Sequence, residues 1–302
     1  MNVPHLHFRC YAKINLTLEV VRRRADGYHE VASLIHTISL ADELHIGSAT
    51  QFVVRADGLD IDADTNLVSR AAQLLASTTH VRPDAELSLR KRIPIAAGLG
   101  GGSSDAATTL IGLNTLWGTR VGPTELTRLA AELGSDVPFF IHGGAALMRG
   151  RGEDLEVLPR LVGQWLVVVL APHDVRDKTR RLYAALEPAD FSAGELTQLA
   201  ADRLRQHLPL AEEQLTNAFS RAARALFPGL VQLWSEAETI CGRRFFLSGA
   251  GPALFALAAD RADAHNQQAR LARRGLPARH ARTVSHARTA IRFAADPAIR
   301  YP

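Results

Sequence analysis

The chain has 302 residues, 47% of them hydrophobic and 22% charged, with a formal net charge of +4. That length suits two domains of ordinary size better than one core, and the composition excludes a disordered or fibrous chain. Two cysteines, Cys10 and Cys241, provide neither a disulfide framework nor a metal-ligand spacing, a usage that fits a reducing cytoplasm.

Met1 to Arg9 contains no apolar run flanked by basic residues, so no signal peptide is expected. Phe8–Val20 and Val31–Leu40 alternate as strands, separated by a polar connection with a turn signal at Asp26-Gly27. Phe52–Ala56 is a further strand ending at Asp57-Gly58. Leu67, Arg70, Ala71, Leu74 and Leu75 have the spacing of a helix over Asn66–Ser77, and Glu86–Lys91 alternates again. A glycine-rich loop then leads into a helix predicted from Ser104 to Trp117. Another helix spans Thr124–Leu133, with Pro123 near its start and Gly134 as its stop.

The composition changes at Gly150–Asp154, where a division into domains 1–152 and 153–302 is expected. Trp165–Ala171 is the most apolar run; it is too short to cross a bilayer and rich in β-branched residues, so it reads as a buried strand. No membrane association is expected. Helices follow over Lys178–Leu186, Glu195–His207 and Pro228–Cys241. Strands at Arg244–Leu247 and Ala253–Ala258 flank a second glycine turn. From Arg270 to Arg300 there are eight arginines against one acid, Asp296, with Phe293 and Tyr301 as the aromatics. Without interleaved rings to stack on bases, this reads as a solvated helix face and tail, and no nucleic-acid partner is expected.

The most informative stretch is Pro94-Ile95-Ala96-Ala97-Gly98-Leu99-Gly100-Gly101-Gly102-Ser103-Ser104-Asp105-Ala106-Ala107. Four glycines without side chains let backbone N–H groups approach a ligand, and the helix that follows carries partial positive charge at its start. Loop and helix start together form an anion cradle; the bland alternative is a flexible turn between strand and helix. A Walker loop is excluded because no lysine follows Gly102. A dinucleotide fingerprint would place Ser103 where its third glycine belongs. The His-Arg-Asp and Asp-Phe-Gly triplets of protein kinases are absent as well.

The loop resembles the second signature of the galactokinase, homoserine kinase, mevalonate kinase and phosphomevalonate kinase superfamily. Three other segments fall in that superfamily's order: Ala12-Lys13-Ile14-Asn15-Leu16, Leu133-Gly134-Ser135-Asp136-Val137-Pro138-Phe139 and Ser248-Gly249-Ala250-Gly251-Pro252. Arg24-Ala25-Asp26-Gly27-Tyr28-His29 is similar to the branch whose members phosphorylate 4-diphosphocytidyl-2-C-methyl-D-erythritol, on the non-mevalonate route to isoprenoids. The resemblance runs from about Tyr11 to Leu257. It implies an α+β, two-domain fold, with a ribosomal-protein-S5-like N-terminal domain, a ferredoxin-like C-terminal domain and the active site in the cleft between them. Periodicity alone yields only mixed strands and helices.

The resemblance further implies ATP as co-substrate, with its phosphates on Pro94–Ser104, and a tertiary hydroxyl as acceptor. Asp136 is the expected acid–base group, its alternative being a helix N-cap before Pro138. Lys13 would neutralise charge on Asp136 and on the transferring group, although a lysine on an apolar strand is ordinarily just a solvated position. Asn15, two residues on, shares its face. Tyr28 would stack on cytosine, His29 would bond the edge of the base, and Tyr183, with Thr179 one turn before it, would close the other face. Mg2+ is expected to arrive with ATP, without a dedicated set of protein ligands. Another kinase of the superfamily, or a silent nucleotide- or nucleic-acid-binding protein on the same fold, are the alternatives.

Overall fold

A computed structural model describes residues 5–57, 66–161, 163–171 and 177–284. Residues 1–4, Gly58 of the expected Asp57-Gly58 turn, and the 285–302 portion of the arginine-rich tail lie outside them. The first half runs β1 (His5–Asn15), β2 (Thr17–Arg23), β3 (His29–Gly47), β4 (Val53–Ala56), α1 (Leu67–Thr79), β5 (Glu86–Arg90), α2 (Gly101–Leu116), α3 (Pro123–Leu133), α4 (Val137–His142), β6 (Ala145–Gly150) and β7 (Asp154–Leu158). The second runs β8 (Trp165–Val169), α5 (Lys178–Ala184), α6 (Glu195–Arg205), β9 (Thr216–Asn217), α7 (Ser220–Leu226), α8 (Leu230–Cys241), β10 (Phe246–Leu247), β11 (Leu254–Ala258), α9 (Arg261–Arg273) and β12 (Ala278–Arg282).

Among the described residues, eight strands form one sheet around the long β3, which pairs antiparallel with β1, β2, β5 and β6. β7 pairs with β6, so this sheet continues past the expected division at 152/153, and Gly150–Asp154 is the turn of a hairpin. β9 joins β2 in parallel from the second half of the chain. One face of the sheet packs on α1 to α4 through Phe8, Leu44, Ala106, Leu110 and Phe139.

The other face meets a second sheet, of order β10-β11-β8-β12, whose pairs are all antiparallel. With one helix-containing connection before β10 and α9 before β12, this is the split β-α-β order of a ferredoxin-like domain. The fold class is the one expected. β8 shows why its sequence is apolar throughout: Leu166 and Val168 face the inter-sheet core, while Val167 and Val169 face α7 to α9. After β12 the chain returns to β3, where Val284 N–H donates to Thr37 O at 3.1 Å.

Two local departures shape the site. The register of β1 against β3 shifts between Tyr11 and Ala12. Leu6, Phe8 and Cys10 face the helix-covered core, whereas Ala12 and Ile14 face the inter-sheet core. A regular strand would keep all these even positions on one face. The irregularity swaps the faces and turns Lys13 and Asn15 to the other side. The second departure is the start of α2 at Gly101, three residues before the expected Ser104. Gly100 takes the N-cap position in the left-handed region (φ 70°), and the following glycines already lie within the helix.

Candidate active site

Lys13 and Asn15 stand at the end of β1, both almost wholly buried. The Lys13 ammonium donates to Asn15 Oδ1 at 2.6 Å and lies 3.5 Å from Asp136 Oδ2. Asn15 is held in turn: its amide donates to Ser33 Oγ at 2.8 Å, and Ser33 donates to Thr17 O at 2.6 Å. Asp136 occupies the N-cap position of α4, yet its side chain makes no capping bond. With 38% of that side chain exposed, the carboxylate is reachable from solvent. The capping alternative therefore does not account for it. A desolvated ammonium facing an accessible carboxylate is an arrangement that stabilises charge developing beside it.

Backbone closes over this pair from two loops. A Cβ added at Gly249 would lie 3.0 Å from both Asn15 Oδ1 and Lys13 Nζ. One added at Gly98 would lie 2.2 Å from Ser248 O and 2.8 Å from Gly251 N. The contact is reinforced by Ser248 Oγ donating to Gly98 O at 3.1 Å and by Ala253 N–H donating to Ala97 O at 3.1 Å. The Lys178 ammonium donates to Ala96 O and Gly251 O across the same seam. Asn217, which sequence reasoning did not single out, fixes the second loop by donating to Leu247 O and Gly249 O, each at 2.9 Å.

The loop from Pro94 to Ser104 reaches the site along Lys13, whose backbone N–H donates to Leu99 O at 2.9 Å. Ala97 and Leu99 anchor it in the inter-sheet core, while Ile95 is exposed. The first-turn amides of α2 at Gly101, Gly102 and Ser103 have no acceptor within the helix and concentrate positive potential there. Ser103 is partly open. Ser104 is fully buried, and its Oγ has no partner among the described residues.

Lys13, Asn15, Tyr28, His29, Asp136, Thr179 and Tyr183 all line one cleft of about 960 Å3. Tyr28 is exposed, and the Arg151 guanidinium covers one face of its ring at 3.8 Å from the centroid. His29 stacks on Tyr183 with centroids 4.5 Å apart and ring planes 17° from parallel, so the imidazole covers one face of the Tyr183 ring. Phe219 meets the Tyr183 ring edge-on at 4.9 Å, and Phe191 lies 6.1 Å from His29. Burial and then the Arg23 charge hold the His29 pKa below its ordinary value, leaving a ring that can both donate and accept near neutrality. Burial first, and the Asp136 carboxylate second, push the Tyr183 phenol up to about 12.

Arg23, Arg151, Arg180, Phe191 and Phe219 also line the cleft without having been expected. Arg151 stands between Gly150 and Gly152, a basic residue on a glycine turn, which is a usable sequence signal. The two phenylalanines lie outside the helices and strands, far apart in the chain, and offered none. Among the described residues no group of three His, Cys, Asp or Glu side chains could hold a metal, and no helix is long and apolar enough to cross a membrane.

Residues 66–144 match the GHMP kinases N terminal domain, and residues 196–277 match the GHMP kinases C terminal domain. A 4-diphosphocytidyl-2-C-methyl-D-erythritol kinase of Dehalococcoides mccartyi is 41% identical over 87% of this chain and 93% of its own. One from Salinispora arenicola is 44% identical over 85% of this chain and 84% of its own. A crystal structure of 4-(cytidine 5'-diphospho)-2C-methyl-D-erythritol kinase superposes with a TM-score of 0.78 at 34% identity, covering 92% of this chain and 98% of its own. Homoserine kinase from Cytophaga hutchinsonii, at 16% identity and a TM-score of 0.70, shares the fold.

Proposed function

We propose, from the premise that the chain belongs to the 4-diphosphocytidyl-2-C-methyl-D-erythritol kinases within the GHMP kinases, that Lys13 and Asp136 carry its phosphoryl transfer. The reaction moves the γ-phosphoryl group of ATP to the 2-hydroxyl of 4-diphosphocytidyl-2-C-methyl-D-erythritol, giving the 2-phosphate and ADP on the route to isoprenoid precursors. One observation supports the assignment above the others: the ammonium–carboxylate pair lies between the glycine loop and an aromatic, arginine-bearing cleft.

Phosphoryl transfer asks chiefly for positioning and charge stabilisation. The loop from Pro94 to Ser104, with the unpaired amides at the start of α2, holds the ATP phosphates. Asp136 orients the acceptor hydroxyl and takes its proton as the oxygen–phosphorus bond forms. Lys13 offsets the negative charge on Asp136 and on the transferring group. Tyr28 stacks on the cytosine, and the neutral His29 bonds its edge. Asn15 and Thr179 bond polar groups of the substrate, and Arg23, Arg151 and Arg180 supply the positive field for its diphosphate.

Magnesium enters with ATP in this reading. The accessible Asp136 carboxylate, phosphate oxygens and water are the hard oxygen donors it favours, and the ion would neutralise phosphate charge. We place the reaction in the cytoplasm, in keeping with two unpaired buried cysteines. A coupled ADP-release assay offering the cytidylyl substrate beside homoserine, mevalonate and galactose tests the reading. Turnover of homoserine, mevalonate or galactose in preference to the cytidylyl compound would reject it.

A further inference from the structure

Beneath the glycine loop, on the side away from the cleft, lies a group of charges that the transfer reaction does not use. Lys91, just after β5, places its ammonium 2.5 Å from Asp42 Oδ2 and 2.6 Å from Asp105 Oδ2. Asp42 belongs to β3 and is fully buried; Asp105 lies in the second turn of α2 and is almost wholly buried. The second oxygen of Asp42 accepts the N–H groups of Arg92, at 2.5 Å, and Ile93, at 2.8 Å. The Cys10 thiol of β1 and the Thr108 hydroxyl face the same cluster.

Stability is a poor explanation for this cluster. Burying three charges costs desolvation that their attraction only partly offsets, and apolar side chains of like volume commonly serve as well. Its connections are more informative. Asp42 grips Arg92 and Ile93, the two residues that lead into Pro94. Asp105 stands in the second turn of α2, one turn past Gly101, where the loop becomes helix. Lys91 ties the two carboxylates together, and its Nζ would be 3.3 Å from a Cβ at Gly101, directly behind the first amides of α2. Entry and exit of the loop are thus held to one ammonium.

We infer that Lys91, Asp42 and Asp105 are positioning residues for ATP: a buried clasp that fixes the two ends of the phosphate loop so that its amides converge on the nucleotide phosphates. The inference rests on the reading of Pro94–Ser104 as the ATP cradle. A misplacement of about 1 Å in such a site is worth on the order of 100-fold in rate. Asp105→Asn keeps the side-chain shape and leaves Lys91 paired with Asp42. Burial pushes the Asp105 carboxyl up to about 7 against the pull of Lys91, so an uncharged amide there is close to a state the fold already accepts.

The experiment measures ADP binding by calorimetry and both KM values for the unaltered chain and for Asp105→Asn, with a urea midpoint for each. The expected result is a roughly ten- to 100-fold rise in the ADP Kd and the KM for ATP, with the KM for the cytidylyl substrate unchanged within about twofold. An unaltered ADP Kd in the folded variant overturns the clasp and leaves the cradle standing. Equal rises in both KM values with a lowered urea midpoint also overturn it, since a merely structural role would act in that way. Failure of the unaltered chain to bind ADP removes the cradle, and the clasp with it. If Asp105→Asn does not fold, the fully neutral K91M/D42N/D105N chain answers the same question; if that also fails to fold, the cluster is a stability element and the inference is wrong.

Discussion

Replacing Gly98 with alanine tests whether the two glycine loops are built backbone against backbone. At φ +82° an L residue carries a dihedral cost of about 1–2 kcal/mol. The new methyl would also lie 2.2 Å from Ser248 O and 2.8 Å from Gly251 N, well inside contact distance and against main chain that no rotamer change can move. Overpacking of this kind adds roughly 1–3 kcal/mol, so the total loss is on the order of 2–5 kcal/mol. Gly118 supplies the control: it too has positive φ, at +63°, but an added Cβ there meets nothing within 4 Å. Gly118→Ala should therefore show the dihedral cost alone. Urea unfolding of both variants isolates the packing contribution, and ADP calorimetry on Gly98→Ala should show weakened binding because the loops must part. A Gly98→Ala chain no less stable than Gly118→Ala, with its ADP affinity intact, would refute the close approach of the loops.

Asp136→Asn should fold normally, since the side chain makes no capping bond, yet lose roughly 10²–10⁴-fold in kcat; undiminished turnover would remove Asp136 from the mechanism. Tyr28→Ala should raise KM for the cytidylyl substrate about five- to 150-fold, from 1–3 kcal/mol of stacking, with KM for ATP nearly constant and Tyr28→Phe far milder. A matched loss of ATP affinity would assign this tyrosine to the other pocket. His36 is buried, with Nδ1 on Thr37 O and Nε2 accepting Leu161 N–H, and burial pulls its pKa down to about 4. Because that lies below the unfolded value near 6.5, the stability it contributes is complete above pH 6.5 and falls by about 3 kcal/mol as pH drops towards 4. An NMR titration of its imidazole with a midpoint near 6.5 would contradict this.

Much of the site is legible in the sequence because it rests on local chemistry. Glycine runs and a proline-broken strand end are short-range signals that mark the loop, whereas Lys13, Tyr28, His29 and Asp136 were singled out by resemblance to the superfamily's signatures; read alone, Lys13 is an ordinary strand position and Tyr28-His29 a surface pair. The register of β1 on β3, which decides the face Lys13 occupies, is a tertiary property; alternation in Phe8–Val20 gives no sign of a swap at Tyr11/Ala12. Likewise β6 and β7 look like a composition change because Gly150 and Gly152 interrupt the apolar pattern. The clasp was invisible for a different reason: Asp42, Lys91 and Asp105 are ordinary charged residues far apart in the chain until folding gathers them. The early start of α2 at Gly101 was not legible either, because glycines are poor helix formers; it puts Ser104, expected on the ATP cradle, inside the first turn with its side chain buried.

The irregularity between Tyr11 and Ala12 also determines how this chain tolerates change in length. β3 carries two residues, Ser39 and Leu40, opposite that junction with no partner on β1. Lys13 is the second residue past the junction, so its orientation is counted from there and not from the N-terminus. Lengthening or shortening β1 before Tyr11 would shift Leu6, Phe8 and Cys10 across their own core while Lys13 kept its face. Deleting Ala12 would put Lys13 in its place and send the ammonium into the apolar space between the two sheets. The strand that carries Lys13 is thus two separately registered segments joined end to end, and only the second sets the face its ammonium occupies.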